Sequence, residues 1–136
     1  MSIEPQQKYL QVQVQTATPE MLVTMLYDGC IRFLRQGKAA LNANNFQKAN
    51  ESIIRAQDIL LELNSCLDME QGGEIARNLR LLYDYMHQRL ITANTKKDVA
   101  AVDEVTDFVT QIRDAWVEAV RAVNGSLRKN DTFAKI

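Results

Sequence analysis

Residues 46–67 read FQKANESIIRAQDILLELNSCL, and the spacing of their apolar members decides the fold. Phe46, Ala49, Ile53, Ala56, Leu60, Leu63 and Leu67 recur at alternating steps of three and four. That spacing holds one stripe of an α-helix against a neighbour, as in the seam of a helical bundle. The pattern stops before Gln71-Gly72-Gly73, a joint between helices.

The same reading extends in both directions. Upstream, Thr18 can cap free backbone N–H groups, Pro19 loses no hydrogen bond at the first helical position, and Glu20 suits the positive end of the helix dipole. Leu22, Leu26, Phe33 and Ala40 follow as one stripe with Gly29 in register, and Asn42-Ala43-Asn44-Asn45 has the composition of a helix stop. Downstream, Ile75, Leu79, Leu82, Met86, Leu90 and Ala93 mark a third helix, ended by Thr95-Lys96-Lys97-Asp98. Val102, Val105, Val109, Ile112, Trp116, Ala119 and Val123 mark a fourth, with Asn124-Gly125 as its expected stop. Short joints force neighbouring helices to run antiparallel. The expected architecture is all-α: an antiparallel up-down four-helix bundle over residues 18–124, preceded by an extended N-terminal segment, 1–17, and followed by a mobile tail, 125–136. In the first segment Leu10, Val12 and Val14 alternate with glutamines, a period of two that suits an extended strip. Such a strip has no sheet to join, so it is either a loose terminus or a cover laid over an apolar groove.

Composition narrows the function. The 136 residues carry 16 basic and 17 acidic side chains, interspersed and summing to −1, which excludes the clustered basic face of a nucleic-acid binder. No apolar run approaches the ~20 residues of a membrane span. No signal-peptide pattern opens the chain, so a cytoplasmic location is expected. Cys30 and Cys66, both inside helical patterns, read as buried reduced thiols.

Catalytic and metal chemistry find no foothold. A carboxylate-bridged di-iron bundle needs Glu-x-x-His from two helices, whereas His87 is the one histidine here. No cysteine spacing suits zinc or haem, and Cys30 sits in an apolar stretch with no local basic group arranged to lower its pKa. No catalytic residue, cofactor or metal site is therefore assigned. What stands out is a surplus of apolar side chains beyond one stripe per helix: Met21, Tyr27, Ile31 and Leu34, then Ile54, Ile59 and Leu61, then Leu81, Tyr83, Tyr85 and Ile91, then Phe108, Val117 and Val120. Some of these widen the core, and together they imply an apolar groove of a kind that monomers seldom leave open. A partner, a second copy of the chain or the N-terminal strip would cover it. A self-associating structural or regulatory bundle, a homodimer included, is the competing class.

Several multi-residue words then carry a resemblance. Thr16-Ala17-Thr18-Pro19-Glu20-Met21-Leu22 running into Met25-Leu26-Tyr27-Asp28-Gly29 is one. Ala56-Gln57-Asp58-Ile59-Leu60 with Leu63-Asn64 and Leu67-Asp68-Met69 is a second. Asn78-Leu79, Leu82-Tyr83-Asp84-Tyr85-Met86 and Arg89-Leu90 make a third, and Asn94, Lys97-Asp98 and Ile112-Arg113-Asp114-Ala115-Trp116 close the set. In this order, across about residues 9–123, they resemble the FliS family of flagellar export chaperones. The resemblance implies a four-helix bundle that holds the C-terminal segment of flagellin in the cytosol, prevents its polymerisation and delivers it to the export-gate protein FlhA. It also implies that the N-terminal tyrosine region, here Tyr9, docks at the gate and folds back over the client groove. Two sets of residues follow as expectations. The client groove is placed on helices 2 and 3 near Ile54, Leu61, Leu81 and Tyr85, and the cap on Tyr9, Leu10, Val12 and Val14.

Overall fold

The first helix starts where its cap predicts. In the computed structural model, which describes residues 16–134, the Thr18 side chain accepts the Met21 N–H at 3.2 Å and Pro19 opens α1, Pro19–Asn42. Asn44 takes a left-handed backbone (φ +56°), tolerated by a short side chain that bonds locally. Asn45 then caps α2, Phe46–Ser65, by accepting the Lys48 N–H at 3.3 Å. The Gly72-Gly73 joint leads into α3, Gly73–Lys96, and Asp98 accepts the Ala101 N–H at 3.3 Å at the start of α4, Val99–Ala134. Among the described residues every regular element is helical.

α1 packs against α2 and α4, while α3 closes the ring between α2 and α4. The arrangement is the expected all-α, antiparallel four-helix bundle. Its centre is filled by Cys30, Leu34, Ile53, Leu60, Met86, Leu90, Val102, Val105 and Val109, all essentially inaccessible to solvent. The tightest approach is between α1 and α2. A Cβ on Gly37 would stand 3.0 Å from Ile53 Cγ1, and one on Gly29 3.4 Å from Ile59 Cδ1.

Four expectations are revised or left aside. The buried face of α1 keeps only part of the predicted stripe: Gly29 and Ala40 are buried as expected, together with Tyr27, Cys30, Ile31 and Leu34, whereas Leu22, Leu26 and Phe33 are only partly so. α1 faces both α2 and α4, so its buried arc is centred between them, and the Leu22-Leu26-Phe33 stripe falls at one edge. Cys66 is exposed, because α2 ends at Ser65 and leaves it at the C-cap beyond the packed turns. The stop at Asn124-Gly125 is absent, since α4 runs on to Ala134. A helical glycine costs only about 1 kcal/mol relative to alanine, and the Leu127-Arg128-Lys129 that follows consists of good helix formers with no proline. The extended segment falls almost wholly on residues 1–15, outside the described residues.

Candidate functional site

The outer faces of α2 and α3 carry most of the large exposed apolar side chains. Ile54 and Leu61 are 42% and 52% exposed on α2, and Leu81, Tyr85 and Ile91 are 69%, 47% and 40% exposed on α3. Ile54 and Leu61, seven residues apart, share one side of α2. That side also holds Asn50 and Asn64, which accept from or donate to α3: Asn94 Nδ2 donates to Asn50 Oδ1 at 2.6 Å, and Asn64 Nδ2 to Asp84 Oδ1 at 2.9 Å. These two bonds fix the register of the antiparallel pair and place Ile54 and Leu61 along the α2–α3 seam. Ile91, seven residues after Asp84 and three before Asn94, lies on the facing stripe of α3 at the level of Ile54.

Tyr85 belongs to the opposite flank of α3. Its hydroxyl donates to Glu104 Oε1 on α4, its ring meets Phe108 edge-on at 6.4 Å, and Arg89 Nε donates to Glu104 Oε2 at 3.0 Å. Leu81, one turn before Tyr85, is on the outward side of α3 next to it. The four predicted groove residues are all exposed, but they bracket α3 in two pairs. Ile91 is the residue that completes the α2–α3 pair. Its signal was already in the sequence, as an apolar side chain outside the α3 stripe and three residues before Asn94.

The Tyr85 bond and then the Arg89 bond hold the Glu104 carboxyl below its usual range, and the carboxylate in turn raises the Tyr85 phenol. Deeper in, the hydroxyls of Tyr27 and Tyr83 lie 2.7 Å apart, buried between α1 and α3. Burial raises both phenols. The shared bond raises Tyr83 further and partly offsets the effect on Tyr27. Burial also pushes the Cys30 thiol up to about 12, which makes it unsuited to act as a nucleophile. Among the described residues no group of three or more His, Cys, Asp or Glu is placed to hold a metal ion. None of their helices is long and apolar enough to cross a membrane.

One end of the bundle is also open. A depression of about 600 Å³ between the first turns of α1 and the end of α2 is lined by Pro19, Leu22, Val23, Met25, Leu26, Glu62 and Cys66. On the other side of α1 a smaller one, about 410 Å³, is formed by Glu20 with Trp116, Ala119, Val120, Val123 and Asn124. Trp116 is fixed there by Nε1–H bonds to Thr24 Oγ1 at 3.0 Å and to the Glu20 carbonyl at 3.3 Å. Both depressions flank the point where the chain enters α1. Tyr9, Leu10, Val12 and Val14, assigned to the cap, lie outside the described residues.

Comparison with known proteins agrees with this architecture. The family model "Flagellar protein FliS" matches residues 2–123. A flagellar secretion chaperone FliS of Bacillus subtilis is 40% identical over 118 residues, 87% of each chain. That of Vibrio cholerae is 42% identical over 76% of each chain, and that of Escherichia coli is 38% identical over 84% of this chain and 88% of the relative. In fold, a solved flagellar chaperone from bacteria superposes with a TM-score of 0.71 at 22% identity, covering 85% of this chain and 94% of that one. These relatives are named as chaperones, a role without catalysis. The chain belongs to the FliS family of flagellar proteins.

Proposed function

We propose that this protein is a cytoplasmic export chaperone that binds the C-terminal segment of flagellin, keeps it from polymerising and passes it to the export-gate protein FlhA. The observation that supports this reading is the set of half-exposed apolar side chains bracketing α3, on a chain whose relatives are named flagellar secretion chaperones. An unfolded client with amphipathic segments would lay its apolar faces on Ile54, Leu61 and Ile91 along one seam and on Leu81 and Tyr85 along the other flank. This is helix-in-groove recognition, in which the main opposing cost is the ordering of the client. A client segment covered in this way cannot offer the same face to another flagellin, so binding and the block on polymerisation are one event.

The N-terminal strip is proposed as the cover of the open end of the bundle. The apolar depression lined by Pro19, Leu22, Val23, Met25 and Leu26 lies at the start of α1, and an extended chain spans about 3.3 Å per residue, long enough for Leu10, Val12 and Val14 to reach it. In the unloaded chaperone the strip covers this surface, and loading or docking at FlhA, with Tyr9 as a contact, displaces it. A chain without residues 1–15 should bind apolar dye more strongly or client more tightly, and no change in either would reduce the strip to a plain terminus.

The central test is a calorimetric titration of the purified chain with a peptide from a flagellin C-terminus. Saturable one-to-one binding is expected, together with capture of the loaded complex by the cytosolic domain of FlhA. A chain that ignores the peptide and instead forms a stable dimer in light scattering would favour the self-associating bundle, since a second copy would bury the same faces.

A further inference from the structure

The two polar bridges of the α2–α3 seam fix what lies between them. Along α2 the stripe runs Asn50, Ile54, Gln57, Leu61, Asn64, and along α3 it runs Asp84, His87, Ile91, Asn94. Steps of three and four keep each set on one side of its helix. Asn64 bonds to Asp84 and Asn94 to Asn50, and the helices are antiparallel. Leu61 and His87, each three residues inside the Asn64–Asp84 bridge, therefore stand at one level. Gln57 follows one turn further on, between them and the level of Ile54 and Ile91. The seam is thus not apolar throughout, because its middle holds an amide and an imidazole.

Both polar side chains are half-buried, and neither is held by a hydrogen bond or ion pair to another described residue. In the free chain they face water, which serves them at no cost. A client laid on Ile54, Leu61 and Ile91 covers them as well, since they stand among those residues. A polar group dried without a partner weakens a complex about five-fold or more. The client that fits this seam must therefore bring polar atoms to its middle.

We propose that Gln57 and His87 are the specificity-determining residues of the client groove, and that they select a segment whose apolar face is interrupted near its middle by an asparagine or glutamine side chain. This rests on the client-binding role proposed above and adds to it the chemistry of the occupant. An amide gives and takes hydrogen bonds, as Gln57 does, and the imidazole of His87 donates at least one N–H in either protonation state. Asp84 at the end of the seam and Asp58, next to Gln57 in the chain, are exposed carboxylates that disfavour a client carboxylate in the same place. Ile54, Leu61 and Ile91 supply the adhesion. The polar pair rejects a segment that is merely apolar, because a site with hydrogen-bonding groups discriminates against an occupant that leaves them unpaired.

Gln57→Leu, His87→Leu and the double variant test this against the flagellin C-terminal peptide and against a series of that peptide with each Asn and Gln replaced in turn by leucine. Leucine is a good helix former, so the variants should melt no lower than the parent chain by circular dichroism. In calorimetry each single variant should bind the unaltered peptide about five-fold or more weakly, although it adds apolar surface. At one or two positions the leucine peptide should lose a similar factor on the parent chain and bind the double variant at least as tightly as the unaltered pair, since replacing both partners by apolar groups is nearly neutral. The peptide series on the parent chain tests the same contact independently of any variant's fold. Leucine variants that bind the unaltered peptide as tightly as the parent chain does, or a peptide series in which no position shows the loss on the parent chain, overturn the proposal. A parent chain that does not bind the unaltered peptide refutes the client reading itself.

Discussion

Replacing Ile54 and Leu61 together by aspartate should abolish most client binding while leaving the bundle folded. Each side chain is about half exposed in the free chain, so a covering client removes from water about half of what full burial removes. Full burial of an Ile or Leu is worth about 1.5–3 kcal/mol, which makes the lost attraction about 1 kcal/mol per residue and about 2 kcal/mol for the pair. That corresponds to about a thirty-fold weaker complex, and carboxylates facing an apolar client surface add their own desolvation penalty. In the free protein both new carboxylates stay hydrated on the outer side of α2. The halves already buried in the free bundle are lost as well, so stability should fall by about 1 kcal/mol per residue and about 2 kcal/mol for the pair, with the bundle still folded. Calorimetry with the flagellin peptide reads the first quantity and circular-dichroism melts the second. Affinity within three-fold of the parent, with an intact fold, would show that the α2–α3 seam does not carry the client.

Packing and protonation give further tests. Gly37→Ala should destabilise the bundle by about 1 kcal/mol, because the helix-propensity gain is outweighed by crowding of the fully buried Ile53, whereas Gly29→Ala should be neutral or stabilising by up to about 1 kcal/mol; urea melts compare them, and equal effects would refute the α1–α2 packing. In a thiol-labelling assay on the native chain Cys66 should react and Cys30 should stay silent until the protein unfolds, since Cys66 is exposed and Cys30 buried; rapid labelling of both would contradict the core. Stability should hold below pH 9 and fall above it. The unfolded chain releases its Cys30, Tyr27 and Tyr83 protons near the ordinary values of 9.0 and 10.0, while the fold keeps all three protonated to higher pH. Urea melts from pH 7 to 11 should show the loss, and a Tyr27→Phe/Tyr83→Phe double variant should show a shallower one.

The sequence made the fold legible because α2 and α4 each bury a narrow stripe, and Ile53, Leu60, Val102, Val105 and Val109 recur at that spacing. It was less legible in α1, where apolar residues occur on nearly every face and no single stripe stands out. Tyr27 and Tyr83 count in the sequence as surplus beyond one stripe per helix, with nothing local to mark them as core. Burial becomes acceptable only when the two hydroxyls meet across 56 positions of sequence, a pairing that no local pattern encodes. Cys66 erred the other way, since its place in a helical run gave no sign that α2 stops one residue earlier.

The candidate site shows the same limit more sharply. Hydrophobic spacing sets Ile54 and Leu61 apart from the core of α2 and Leu81, Tyr85 and Ile91 apart from that of α3, but it misplaces Phe46 and Ile75, which are exposed, and Tyr83, which is buried. Nor can it say which neighbouring helix an exposed residue borders. That assignment comes from the groups around it: Asn50 with Asn94 and Asn64 with Asp84 tie Ile54 and Leu61 to α3, and Glu104 together with the Phe108 ring ties Tyr85 to α4. A binding surface on a helical bundle is thus specified by two overlaid codes. Apolar residues set how strongly a partner adheres, and the polar bridges between them set which seam it meets and in what register. The two codes coincide on the α2–α3 seam, where the Asn50–Asn94 and Asn64–Asp84 bridges stand on either side of Ile54, Leu61 and Ile91.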